Sequence, residues 1–161
     1  MDLTIRPATA QDYDDLCEII AEVDEMHRQR CPHIFQKPPG PARERAYIQG
    51  LLADQDHGLF VAEAGGRVAG FLHVVAHDTP PIPILVPRRL AVVDNLVVRR
   101  DLRRAGIGRA LMERAEQWAR EQEATEIDLT VFEFNAGAIA FYRSLGYETR
   151  TRRMSKGLDQ A

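Results

Sequence analysis

The spacing of apolar and polar positions changes several times along the chain, and each change marks an element. Thr4, Ile5 and Arg6 alternate and stop at Pro7, which predicts a short first strand. Beyond Thr9 the period lengthens. Leu16, Ile19, Ile20, Val23 and Met26 recur at helical spacing, so a helix is expected to about Arg30, capped by Thr9 with Asp12 three residues on. Its other positions are acidic: Asp12, Asp14, Asp15, Glu18, Glu22, Asp24 and Glu25 form either a solvated face or a rim that draws cations. Cys31-Pro32 ends this helix, and residues 37–41 hold three prolines in a stiff loop. A second helix is expected across residues 42–53, burying part of Ala46, Ile48 and Leu52.

Residues 58–64 and 67–76 are apolar strands around Gly65-Gly66, a two-residue hairpin signal. Residues 78–87 carry four prolines and read as a stiff apolar loop. A fourth strand follows at residues 88–99, rich in β-branched residues from Leu90 to Val98. Ile107, Leu111, Ala115 and Trp118 then share one side of a helix that runs to about Gln122. Residues 125–132 predict a fifth strand. Asn135 is placed to cap a helix through Ser144, Gly146 to close it, and residues 147–155 read as a final strand.

Composition adds bounds. The 161 residues predict one domain over 1–161, and 45% hydrophobic with 28% charged residues is ordinary for a soluble globular chain. No apolar run is long enough to cross a bilayer, and the first residues lack a signal-peptide design, so no membrane association is expected. Cys17 and Cys31 are isolated, as in a reducing cytoplasm, and no metal spacing is present. A net charge of −3 argues against a general nucleic-acid binder.

The chemistry gathers after the fourth strand, at Arg103-Arg104-Ala105-Gly106-Ile107-Gly108-Arg109. Two glycines let a ligand approach the backbone, the first helical amides lack internal partners, and three arginines add charge. Together they suit a di-anion such as a pyrophosphate. The turn is not a Walker loop, since no Gly-Lys-Ser/Thr is present, and Leu111 stands where a dinucleotide fingerprint needs its third glycine.

These residues resemble the signature Arg/Gln-x-x-Gly-x-Gly/Ala of the GCN5-related N-acetyltransferases (GNAT). Residues 135–147, from Asn135 through Ala140-Phe141-Tyr142 to Gly146-Tyr147, match a second family segment. The resemblance implies an α/β GNAT fold. That fold has a mixed, mostly antiparallel twisted sheet of about six to seven strands, with four helices on both faces. Its fourth and fifth strands are parallel and splayed. It further implies an N-acetyltransferase that uses acetyl-CoA without a metal. The acceptor is a primary amine of a small molecule or peptide, and transfer is direct because neither cysteine sits in an acylation motif. A non-catalytic CoA-binding module of the same fold is the alternative. A homodimer through the C-terminal strand is common in the family. Cofactor contacts are expected from Leu96, Val97 and Val98, from Arg103, Arg104, Ala105, Gly106, Ile107, Gly108 and Arg109, and from Asn135 and Tyr142.

Amine acetylation needs a free amine, and holding an alkylammonium neutral at pH 7 costs roughly 4.6 kcal/mol. Asp94 is the candidate base, interrupting an apolar strand with the parity of Leu96 and Val98; a structural carboxylate capping a bulge or salt-bridged to an arginine is the other reading. His73 and His77 are weaker alternatives. Tyr142 is the candidate acid for the leaving thiolate, and His27, His33, Phe35, His73 and Asp94 are candidate acceptor contacts.

Overall fold

In the computed structural model, which describes residues 2–158, the chain forms two compact units that meet in sequence at Thr130 and Val131. Met1 and residues 159–161, the ends of the expected 1–161 domain, lie outside the described residues.

The first unit opens with β1 (Leu3–Pro7) and a 3-10 turn at Ala10–Asp12. Thr9 N–H donates to Asp12 Oδ2 at 2.7 Å and Asp12 N–H to the Thr9 carbonyl at 3.0 Å, which fixes the entry to α1 (Tyr13–Arg30). Then come α2 (Arg45–Ala53), β2 (His57–Ala64), β3 (Arg67–Asp78) and β4 (Arg89–Val98). A 3-10 turn at Arg100–Leu102 leads to α3 (Ile107–Glu121) and β5 (Glu126–Leu129). The second unit holds α4 (Ala136–Ser144).

The sheet order is β1-β2-β3-β4-β5. Neighbours are antiparallel except β4 and β5, which the α3 crossover makes parallel. Gly65 and Gly66 take φ of 59° and 78°, the left-handed pair a two-residue hairpin requires, and Ala64 faces Arg67 across them.

Both sheet faces are covered. Leu59, Val61, Phe71 and Val97 pack with Leu16, Ile19 and Ile20 of α1 and Ile48 of α2. Each such side chain, fully buried, contributes about 1.5–3 kcal/mol. The other face receives α3 through Ile107, Leu111, Met112, Ala115 and Trp118, all buried. A Cβ on Gly70 would meet Leu111 at 3.0 Å and Ile107 at 3.2 Å, so the helix lies close against β3 there.

Four expectations need correction. The sheet has five strands, not six to seven. Residues 147–158 form no strand, so association through a C-terminal strand finds no such element. The second helix begins at Arg45 and leaves Ala46 exposed. Finally, Asp94 does not share parity with Leu96: His73 faces Asn95 and Val74 faces Val93, so Asp94 is the extra residue of a β-bulge. Leu96 faces Leu72, whereas Asp94 reaches His73, one residue along β3.

Candidate functional site

Pairing between β4 and β5 covers only Leu90↔Glu126 to Val93↔Leu129. The remaining half of β4, Asp94 to Val98, has no strand on that edge among the described residues. Its backbone groups on that side have no ladder partner among the described residues.

The chain leaves this open edge into the anion-type turn. Arg104 and Gly106 take φ of 64° and 81°, two left-handed residues separated only by Ala105. Such a turn gathers backbone N–H groups into a concave, anion-accepting surface. Ala110 N–H is bonded to the Gly106 carbonyl at 3.1 Å, which leaves the preceding amides of α3 without intrahelical partners. A Cβ on Gly106 would meet nothing within 4 Å, so the approach to the backbone there is open. Arg103, Arg104 and Arg109 are exposed and have no carboxylate partner among the described residues. Arg103 Nε donates to the Val98 carbonyl at 3.2 Å, which ties the turn to the end of the open edge.

Arg99 is different. It is buried, donating from Nε to the Val68 carbonyl at 2.7 Å and from its terminal nitrogens to Asp15 at 3.0 Å and Glu18 at 2.9 Å. Arg100 N–H meets Glu22 Oε2 at 3.3 Å, and Arg67 pairs with Asp101. Much of the acidic face of α1 is thus internally matched: Asp12 to Arg6, Asp24 to Arg43, Glu25 to Arg28. Apart from Asp12 the acids stay partly or fully exposed, as a solvated face requires, but Asp15, Glu18 and Glu22 also hold Arg99 and Arg100 at the base of the anion turn.

At the other end of the open edge, Asp94 Oδ2 lies 3.3 Å from His73 Nδ1 and 3.3 Å from its donor Asn95 Nδ2. The carboxylate is about half exposed while His73 is 2% exposed. The hydrogen bond from His73 holds the Asp94 carboxyl below the usual range, against the opposing effect of partial burial. Of the two structural readings, the bulge is present, and the partner is a histidine rather than an arginine.

His73 in turn touches His57, Nε2 to Nδ1 at 2.8 Å. The sequence reading missed His57, since its side of the sheet depends on register. His77 is exposed, its Nδ1 3.3 Å from the Asp78 carbonyl. His27 bonds the Val23 carbonyl at 2.9 Å and meets Phe35 edge-on near the end of α1, ring centroids 5.5 Å apart. His33 is exposed.

In the second unit Asn135 caps α4, its Oδ1 accepting from Ala138 N–H at 3.1 Å. Tyr142 lies between Phe141 and Tyr147, with centroids 5.3 and 6.0 Å away, and burial pushes its phenol pKa up.

Comparisons with known proteins bear on the fold and the family. A family model described as "Acetyltransferase (GNAT) family" matches residues 20–147. An uncharacterized N-acetyltransferase of Methanocaldococcus jannaschii is 32% identical over 147 residues, covering 91% of this chain. The chain spans only 61% of that protein's length. One from Archaeoglobus fulgidus is 30% identical over 133 residues, 83% of this chain and 86% of its own. A crystal structure of a mutant Bacillus halodurans protein superposes with a TM-score of 0.92 at 26% identity, covering 96% of this chain and 99% of the other. Cradle, parallel crossover and extended match point the same way: the chain belongs to the GNAT family of acetyltransferases.

Proposed function

We propose that this chain is an acetyl-CoA-dependent N-acetyltransferase that passes the acetyl group directly, in a ternary complex, to a primary amine of a small molecule or protein. One observation carries the reading: the open edge of β4 runs within a few residues into the arginine-lined head of α3. The cradle suits the donor's pyrophosphate, held by the turn 103–109. The open edge suits its amide-bearing arm, which can pair with strand backbone as an added strand would. A backbone amide among Leu96, Val97 and Val98 then serves as donor to the oxyanion.

Asp94 acts on the acceptor. Its carboxyl is held low and cannot keep a proton against an ammonium of pKa near 10.4. As a carboxylate it draws the ammonium in by charge, and the ammonium gives up its own proton to water beside it. Tyr142 is the acid for the thiolate, because burial keeps its phenol protonated. Asn135 has Oδ1 committed to its cap and offers Nδ2 to the donor's arm. His27 and Phe35 are proposed contacts for the acceptor's far end.

The test is turnover. The purified protein is given acetyl-CoA and a panel of amines covering amino acids, polyamines, aminoglycosides, lysine peptides and peptide N-termini. Free thiol and acetylated product are both measured. One-to-one appearance of thiol and acetyl-amine supports the reading. CoA binding with no transfer to any amine points to a non-catalytic module.

A further inference from the structure

Three strands and a helix end contribute to one line of four side chains. Asp94 of β4 reaches His73 of β3 at 3.3 Å, and His73 Nε2 lies 2.8 Å from Nδ1 of His57 on β2. His57 Nε2 then lies 3.7 Å from Oδ2 of Asp54, which follows α2. The two rings are nearly parallel, 22° apart. Arg43, before α2, lends positive charge at Asp94 and is itself paired with Asp24 of α1, while Asp56, beside His57, is paired with Arg89.

Two ring nitrogens at 2.8 Å need one N–H and one lone pair between them. With both rings neutral, one proton remains for the two outer nitrogens, either on His73 toward Asp94 or on His57 toward Asp54. The distances decide. The contact to Asp94 is within hydrogen-bond reach, and the 3.7 Å contact to Asp54 is beyond it. Burial agrees. A bare His73 Nδ1 would set two acceptors against each other at a ring only 2% exposed, whereas the His57 side chain keeps 22% of its surface exposed and Asp54 53%. The proton therefore belongs on His73 Nδ1. His73 Nε2 is then an acceptor, and His57 Nδ1 must donate to it.

We propose that His57 is a positioning residue for the acetyl-transfer site: its Nδ1–H fixes His73 as the Nδ1–H tautomer, which holds the Asp94 carboxylate in one orientation toward the acceptor ammonium. The catalytic consequence rests on the reading above; the tautomer does not. His57 touches no reacting atom and acts through His73.

The test pairs a spectrum with kinetics on the full chain. Nitrogen-15 spectra of the histidine rings are recorded for the wild type, His57→Asn and His57→Leu. Asn places an N–H donor near the position of His Nδ1, and Leu provides none. The expected wild-type spectrum shows neutral His73 protonated at Nδ1 and bare at Nε2. His57→Asn preserves it. His57→Leu leaves Nε2 without a donor and brings in a second tautomer. In turnover assays His57→Leu lowers kcat about tenfold with KM for acetyl-CoA kept, short of the roughly 10²-fold loss from removing a base outright. His57→Asn recovers most of that. A neutral wild-type His73 protonated at Nε2 overturns the proposal, as does an equal kcat for the Asn and Leu variants. Absence of turnover on every amine would sink the acetyl-transfer reading alone, because the spectrum still decides the role of His57.

Discussion

Asp94 is half exposed yet tied to an imidazole that water barely reaches, so its charge is anchored without being hidden. Asp94→Asn keeps the shape and a hydrogen-bond acceptor but removes the charge. The expected result is a fall in kcat/KM that shrinks as pH rises, when free amine becomes plentiful; superimposable pH profiles for the two proteins would return Asp94 to a purely structural place. Tyr142→Phe removes one hydroxyl and keeps the ring against Phe141 and Tyr147. We expect kcat to drop about 10²-fold with melting temperature and CoA affinity nearly unchanged, and a smaller drop with a donor whose thiol is more acidic. Steady-state kinetics beside thermal melts check this. Both residues were readable from the sequence as types in context. The surroundings of Asp94 were not, because two one-residue insertions in the ladders set them. Ala69 is extra on β3, between the Ala62↔Gly70 and Glu63↔Val68 pairs. Counting back from the glycine turn without it would set Gly58, not Leu59, opposite His73 and send His57 to the other face.

At the scale of elements, α1 and the end of β4 are joined by one buried cation. Arg99 is 6% exposed, while its partners Asp15 and Glu18 are 44% and 65% exposed. The two sides of this pairing are therefore unequal. Replacing both carboxylates by Ala strands a buried guanidinium and should cost about 3 kcal/mol, whereas Arg99→Met frees two acids that water can reclaim and should cost about 1 kcal/mol. Urea unfolding of the two variants decides, and a reversed order would show that the cation is solvated. The amphipathic helices were the most legible elements, since Leu16, Ile19, Ile20, Ile107, Leu111 and Trp118 all lie buried where their spacing put them. The false final strand shows the converse. Residues 149–152 alternate Thr and Arg, which favours extended backbone locally, but apart from Tyr147 and Met154 the stretch 147–155 offers no apolar face to bury.

For the whole molecule, the same pairing of acids sets a pH window. Arg6 grips Asp12 through two nitrogens at 2.8 and 2.9 Å and lowers its carboxyl pKa, as His73 lowers that of Asp94. A folded-state pKa below the unfolded value adds stability that is fully present above the unfolded pKa, about 3.9, and is lost as pH falls through the folded one. Melting temperature should accordingly be flat with respect to these groups from pH 8 to about 5 and fall below about 4. Asp12→Asn should lower it at neutral pH and make the acid limb shallower; an unchanged acid limb would remove the Arg6 pair from that account. The open edge of β4 was foreseen only through family resemblance, because no local pattern reveals that a strand four residues long will leave its neighbour half paired.

The Gly65-Gly66 turn also has a bearing on time. It joins the two central partners β2 and β3 with the shortest loop in the sheet, whereas β1 must wait for two helices and β5 for one. Loop-closure entropy rises with the length enclosed, and an isolated hairpin forms in about 1–10 μs, so this pairing is expected to lead folding. Gly66→Val, which strains a backbone at φ of 78° while meeting no neighbouring atom, should then act on the folding limb of a chevron and leave the unfolding limb nearly in place.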